Sequence, residues 1–153
     1  MGRIYEVGET KATWSGNKTV FTYKASANNV AWIREIRIGS TDVDTNEQFE
    51  AYLLRNTLAG AGTATTVWSS AGTNLNRRSV NDSAALGTLS TFYTAEPTTY
   101  ETAPKMGLAP SPSLSGYVYQ GGIFVRPSEA WGCFMTTLGA AITCALSVVI
   151  EEE

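Results

Sequence analysis

The sequence predicts an all-β protein, an antiparallel β-sandwich of jelly-roll type. Several short segments alternate apolar and polar residues with a period of two, and turn residues separate them. No long segment has the period of an amphipathic helix. Only 16% of the residues are charged, against the usual ~25%, and Thr, Ser, Gly and Asn replace them. The length of 153 residues fits one domain that spans residues 1–153.

The chain opens with two strand-like segments. "RIYEV" and "KATW" precede the turn residues Ser15, Gly16 and Asn17, and "VFTYK" follows them. Two strands around a short polar turn are typical of a hairpin. We therefore expect residues 1–29 to contain an N-terminal hairpin or arm.

A first long strand is predicted in "VAWIREIRI", residues 30–38. Alternation places Val30, Trp32, Ile36 and Ile38 on the core face, and Ile33 on the other. Arg34 interrupts the inward row. It therefore requires an acidic partner or a position near the end of the sheet.

A second long strand follows in "QFEAYLLRN", with Phe49, Ala51 and Leu53 facing inward. Residues 57–90 are then low in charge and rich in Ala, Gly, Thr and Ser. A connection of that length is uncommon in a compact domain and is often functional. We expect a long loop excursion there.

The last third of the chain predicts further strands. "TLSTFYTA" is one, and "YVYQGGIFVRP" is another with a bulge or bend at Gly121 and Gly122. "WGCFMTTL" and "AITCALSVVIEEE" predict a terminal hairpin in which Cys133 and Cys144 are diagonal neighbours in the core, as two free thiols rather than a disulfide. The three terminal glutamates are interpreted as a solvated end that prevents onward strand pairing.

Composition argues against several classes of function. A net charge of −3 without a basic stripe argues against nucleic-acid binding. The chain has no histidine, which excludes His-dependent triads and His metal ligands. We find no apolar run of membrane-spanning length and no secretion signal, and we expect no cofactor and no membrane partner.

An acidic segment, "GSTDVDTNEQFEAYLL", contains Asp42, Asp44, Asn46 and Glu47. Its oxygen spacing partly matches a calcium loop, but it lacks the glycine at the sixth position and the glutamate at the twelfth that an EF-hand requires. We interpret it as a polar connection between two strands, with a calcium site as the open alternative.

Four residues are candidates for contact with a partner. Trp68 and Tyr117 lie in loop-like context, and Arg77 with Arg78 forms the single adjacent basic pair. Trp32 and Trp131 are instead assigned to the core. No Ser or Cys has an obvious base and no phosphate-loop pattern occurs, so we expect no enzymatic activity. Paired carboxylates such as Glu47 and Glu50 are the remaining enzyme hypothesis.

Four segments resemble small virion proteins of tailed bacteriophages: "IREIRIGSTDVDTNEQFEAYLLR", "ALGTLSTFYTAEPT", "GGIFVRPSEAWGCFM" and "ALSVVIEEE". The resemblance covers most of residues 30–153. Positions that recur in that group match Asp42, Asp44, Glu47, Pro127 and Glu129 here. The chain departs from the group at "PSEA", where related chains have Pro-Gly-Glu or Pro-x-Glu-Arg.

The resemblance implies a jelly-roll sandwich that decorates or cements a capsid. Such a protein would bind the major capsid protein and itself, with a homotrimer as one open arrangement, and would lie on the capsid surface after assembly in the host cytoplasm. A tail or baseplate component is one alternative. A carbohydrate-binding β-sandwich module, with exposed aromatic residues and calcium at 42–47, is another.

Overall fold

A computed structural model describes residues 2–14, 17–40, 49–56, 62–69, 76–77, 85–96, 106–107, 109–111, 116–137 and 141–153. These residues contain strands and turns but no helix. The strands are β1 (Arg3–Trp14), β2 (Asn17–Lys24), β3 (Ala31–Ser40), β4 (Phe49–Asn56), β5 (Thr63–Trp68), β6 (Asn76–Arg77), β7 (Thr88–Ala95), β8 (Met106–Gly107), β9 (Ala109–Ser111), β10 (Gly116–Val125), β11 (Ala130–Thr137) and β12 (Ile142–Glu152).

The strands form two antiparallel sheets that face each other, which confirms the predicted β-sandwich. The first sheet has the order β6-β1-β12-β3-β10-β9, and the second has the order β5-β7-β2-β11-β4-β8. Consecutive strands alternate between the sheets at both ends of the chain, since β1, β3, β10 and β12 lie in the first sheet and β2, β4 and β11 lie in the second. This alternation is consistent with a jelly roll.

One hydrophobic cluster fills the space between the sheets. β12 provides the most regular contribution, because its alternating inward residues are all buried: Ile142, Cys144, Leu146, Val148 and Ile150. Ala51 and Leu53 of β4 are buried in the opposite sheet. Both inward rows were predicted from period-two alternation. The row of β12 is confirmed, as are Ala51 and Leu53 of β4, and the side chain of Phe49 lies outside the described part.

The predicted N-terminal hairpin is wrong. β1 lies in the first sheet beside β12, whereas β2 lies in the second between β7 and β11. Tyr5, Val7, Trp14 and Phe21 are all buried in the core cluster, so this region is not an added arm. The polar residues at 15–17 therefore lie where the chain passes from β1 in the first sheet to β2 in the second.

The predicted C-terminal hairpin is also wrong, although both of its strands exist. β11 pairs with β2 and β4, and β12 pairs with β1 and β3. Cys133 consequently lies opposite Phe21 and Leu53, while Cys144 lies opposite Lys11 and Ser40. A short connection in sequence leads here to the opposite sheet rather than to the adjacent strand.

The predicted loop excursion at 57–90 contains strands in its described part. Residues 63–68 form β5, which pairs with β7 and extends the second sheet by one strand. Residues 76–77 form β6 against β1. The uncharged, Thr-rich segment 63–68 therefore adds an edge strand to the second sheet, as its β-propensity would favour.

Candidate interaction surfaces

A β-bulge at Arg34 sets which side chains of β3 reach the surface. The pairing with β12 shifts between Glu35 and Ile33, so that Arg34 is the extra residue. Ile33 and Ile36 are both buried as a result, and Trp32 turns to the outer face. The prediction that Trp32 is a core residue and Ile33 an outer one is therefore wrong.

Trp32 lies directly opposite Phe124 of β10 on this outer face. Their ring centroids are 5.3 Å apart with an interplanar angle of 56°. Phe124 is 44% exposed, which is unusual for a phenylalanine on an ordered strand. β10 reaches this position through its own register shift between Gln120 and Ile123, at the predicted bulge.

Arg34 completes this surface feature. Its guanidinium carbon lies 5.3 Å from the centroid of the Trp32 ring, and its Nε donates to Oε2 of Glu151 at 2.6 Å. The prediction that Arg34 requires an acidic partner is confirmed. We name Trp32, Arg34, Phe124 and Glu151 the outer aromatic cluster.

Polar side chains continue along the same face next to the outer aromatic cluster. Nε of Arg37 lies 2.6 Å from Oε1 of Glu35, and Nε2 of Gln120 donates to Oε2 of Glu35 at 3.1 Å. Aromatic and arginine side chains bordered by polar ones are the composition of a protein interface. The arrangement suits contact with another macromolecule more than chemistry.

A second polar arrangement lies between the sheets, around Glu152. This carboxylate is 2% exposed and accepts three hydrogen bonds. Tyr23 Oη donates at 2.8 Å, the Gly87 amide at 2.8 Å and the Leu86 amide at 2.9 Å. Burial, followed by the neighbouring charge of Glu152, raises the pKa of Tyr23. Tyr23 is thus held protonated, as a donor.

The prediction that the terminal glutamates form a solvated end is therefore wrong for Glu152. This residue joins β12 of the first sheet to β2 of the second and to the turn that begins β7. Gly87 has to be a glycine here, because a Cβ at that position would lie 2.3 Å from Tyr23 Oη.

Glu9 and Glu96 tie other parts of β5 and β7 to their neighbours. Glu9 of β1 accepts from Thr66 Oγ1 at 2.8 Å and also from Thr91 Oγ1. Glu96 accepts from the amide of Thr19 at 2.9 Å and from its hydroxyl at 2.6 Å. Glu9 therefore links the first sheet to the second, whereas Glu96 links the end of β7 to β2 within the second sheet.

Glu129 has a local structural role in the turn between β10 and β11. Its carboxylate accepts from the Arg126 amide at 2.9 Å and lies 3.4 Å from Nη1 of Arg55. Ser128 in the same turn has a φ of 63°. Ser128 belongs to the "PSEA" segment, where the resembled phage proteins have Pro-Gly-Glu or Pro-x-Glu-Arg. The serine thus adopts a conformation that favours glycine.

Cys133 and Cys144 are buried and free. Burial raises the pKa of both thiols, that of Cys144 to about 12. Protonated buried thiols are poor nucleophiles and poor metal ligands. Both residues serve here as small core side chains.

The four predicted contact residues are distributed over separate places. Trp68 lies in β5, packs partly buried against the core and donates from Nε1 to Thr91 Oγ1 at 3.4 Å, so it is a strand residue and not a loop residue. Arg77 lies in β6, and Tyr117 lies in β10 opposite Ile38. Arg78 lies outside the described residues. Their role in binding stays a prediction.

The acidic segment with Asp42, Asp44, Asn46 and Glu47 also lies outside the described residues, and the calcium hypothesis with it. Across the part of the chain that is described, no group of three or more acidic or Cys side chains could hold a metal ion. In that same part, no helix has the length and apolar character that crossing a bilayer requires.

The outer aromatic cluster was not predicted from the sequence, although two signals in the sequence pointed to it. Arg34 interrupts an apolar row, and Gly121 with Gly122 interrupts the strand that pairs with it. Bulges on neighbouring strands reverse which side chains face outward. Together, the two interruptions would have placed Trp32 and Phe124 at the surface.

Comparison with known proteins gives limited similarity. No protein-family model matches the chain, and no curated protein matches it. Among solved structures, the chain is similar to VP17, a capsid protein of bacteriophage P23-77, with 9% sequence identity and a TM-score of 0.27. The similarity spans 99% of this chain and 96% of that one.

Proposed function

We propose that this chain is a structural protein of a bacteriophage virion, a capsid decoration or cement protein that binds the major capsid protein and has no enzymatic activity. On this proposal it assembles in the host cytoplasm and lies on the capsid surface. The resemblance of residues 30–153 to small phage virion proteins supports the class. The outer aromatic cluster is the single observation that carries the binding role.

The outer aromatic cluster has the residue types that supply most of the binding energy in protein interfaces. Trp and Arg are enriched among such residues, and truncating one typically costs about 2 kcal/mol or more. Phe124 would bury much of its exposed 44% on contact. The Arg34 to Glu151 ion pair already positions the guanidinium over Trp32, so little side-chain ordering remains to be lost on binding.

The polar neighbours of the cluster fit a protein that is present in many copies. Arg37 and Gln120 both pair with Glu35, and the three side chains would form a hydrated rim of modest strength. Many weak attachments on one particle can hold a shell together through avidity. A cement protein works in this way.

The carbohydrate-binding alternative fits the cluster less well. A sugar ring stacks on a flat aromatic surface, whereas the planes of Trp32 and Phe124 meet at 56°. Arg34 also lies over the Trp32 ring and competes for the same face. The outer aromatic cluster therefore fits contact with the side chains of another protein better than contact with a sugar.

Binding to empty capsids tests the proposal. Capsids assembled from the major capsid protein of the same phage are mixed with the purified full chain, and bound copies are counted after sedimentation. We expect saturation at a fixed copy number and a higher temperature of capsid disruption. Trp32→Ala with Phe124→Ala should weaken binding by at least about 30-fold, the change that a loss of ~2 kcal/mol implies.

The matched control is Lys24→Ala, at an exposed end of β2 in the other sheet, which should bind as the native chain does. Thermal unfolding shows whether each variant folds. Absence of capsid binding by the native chain would contradict the proposal. Binding to purified tails from the same particle would favour the tail alternative, and binding on a glycan array that Trp32→Ala abolishes would favour the carbohydrate module.

A further inference from the structure

The four edge strands of the two sheets differ in length. Within the described residues, β6 and β8 each have two residues and β9 has three, one of them Pro110. β5 has six residues, Thr63–Trp68, and its neighbour in the sheet order is β7 on one side. A short or proline-containing edge resists pairing with another chain, whereas a long one presents N–H and C=O groups that favour it.

The sequence of β5 carries none of the usual protections of an edge strand. "TATTVW" has no charge, no proline and no glycine. The one register shift in its pairing with β7 places the extra residue, Thr94, on β7 and leaves β5 without a bulge. Val67 is 48% exposed. Such a segment is compatible with a second strand placed alongside it, because neither charge nor side-chain size opposes the approach.

The inner side of β5 is fixed by its own molecule. Thr66 donates to Glu9, and Trp68 packs on the core and donates to Thr91. The edge is therefore ordered before any partner arrives, which lowers the entropic cost of pairing.

The outward side chains of β5 suit pairing with an identical copy. Thr63, Thr65 and Val67 are the exposed ones, and they are symmetric about Thr65. A two-fold axis through Thr65, perpendicular to the sheet, pairs Thr65 with itself and Thr63 with Val67. All pairs on that face are β-branched, which stabilises an antiparallel ladder, and no like charges come together.

We propose that two copies of this chain join through antiparallel pairing of β5 with β5, so that the second sheets of both copies form one continuous sheet. Each copy uses its edge once, so the assembly closes at two copies. A trimer would require β5 to pair with a different edge, and the described alternatives have two or three residues. This inference does not depend on capsid binding.

Molar mass in solution, measured by light scattering over a dilution series, tests the pairing. The full chain should show twice the chain mass. Val67→Lys should lose the dimer, because it places an ammonium group in each half of the ladder. The matched control is Phe124→Lys, at a hydrophobic residue of similar exposure in the other sheet, which should remain dimeric.

Cross-linking provides a second test that does not require breaking the dimer. Thr65→Cys places two thiols opposite each other across the axis, at a separation that a disulfide can span, and mild oxidation should link the copies. Gln120→Cys, exposed on the first sheet, should not link.

A native chain whose molar mass in solution is that of one copy would overturn the proposal. So would a folded Val67→Lys dimer, or a dimer that Phe124→Lys dissociates. Failure of Thr65→Cys to cross-link a dimeric chain would overturn the Thr65-centred register.

Discussion

Glu151 and Glu152 are adjacent in sequence and lie on opposite faces of β12. Glu151 is paired with Arg34 on the outer face, where the side chain of Arg34 is 42% exposed. Glu152 is buried between the sheets and accepts from Tyr23 and two backbone amides. The same chemical group thus belongs to a surface available for contact in one position and to the interior in the next.

The difference shows that burial and partners, and not charge itself, determine what a carboxylate contributes. An exposed ion pair contributes little because water and salt screen it. A buried acceptor contributes more, since removing it leaves donors without a partner in a low-dielectric interior. Outer-face changes should therefore affect binding, and inner-face changes should affect folding.

Glu152→Ala should have the largest effect on stability. Its removal leaves the Leu86 and Gly87 amides and the Tyr23 hydroxyl without their acceptor, and we expect a loss of about 3 kcal/mol or more. Urea unfolding measures it. The control is Glu153→Ala, because Glu153 is the next residue and is exposed. This variant should leave the free energy of unfolding nearly unchanged. Equal losses for the two variants would remove the distinction between buried and exposed positions.

Alkaline pH should weaken the same site through Tyr23. Its pKa is raised in the fold by burial and by Glu152, from 10.0 in the free side chain. Above pH 10 the unfolded chain releases this proton while the folded chain retains it, so stability falls as pH rises, by up to about 1.4 kcal/mol per pH unit. Below pH 10 the contribution is fully present.

Tyr23→Phe isolates this effect from other groups that titrate in the same range. The variant should be about 1 kcal/mol less stable than the native chain near neutral pH, and it should lose stability less steeply above pH 10. Parallel slopes in urea unfolding at several alkaline pH values would contradict the assignment.

Gly87→Ala should cost about 2 kcal/mol, because the added Cβ would lie 2.3 Å from Tyr23 Oη and overpack the site. Gly8→Ala is the matched glycine control, since a Cβ there meets nothing within 4 Å. Thermal unfolding of both variants measures the difference. A Gly87 variant as stable as the Gly8 variant would show that the turn before β7 can move away.

Glu151→Gln should have the smallest effect on stability, about 0.5 kcal/mol or less, and high salt should erase it. Urea unfolding at low and high salt measures it. A loss comparable to that of Glu152→Ala would show that the outer face is part of the folding core.

The sequence predicted the fold class and several core rows because period-two alternation reports directly on sheet faces. Ala51 and Leu53 of β4 and the alternating residues from Ile142 to Ile150 of β12 follow that rule. It failed at β3, where one extra residue at Arg34 reversed the faces of Trp32 and Ile33. Alternation by itself does not take a bulge into account, so Trp32 was assigned to the core.

Strand pairing was predicted less well than strand position. The short connections at Ser15-Gly16-Asn17 and at Gly139-Ala140 were interpreted as hairpin turns, but the strands on either side of each lie in opposite sheets. Local sequence specifies a turn and not the sheet that receives the next strand. Glu152 was predicted to be solvated for a related reason. The groups that donate to its carboxylate belong to Tyr23, Leu86 and Gly87, which are far away in the chain.

Imaging of decorated capsids by electron cryomicroscopy tests the central claim most directly, because it shows which face of the sandwich touches the shell. We predict that the first sheet faces the major capsid protein, with Trp32 and Phe124 in the contact. Density in which that face points to solvent, or capsids that carry no copy of this chain, would contradict the account.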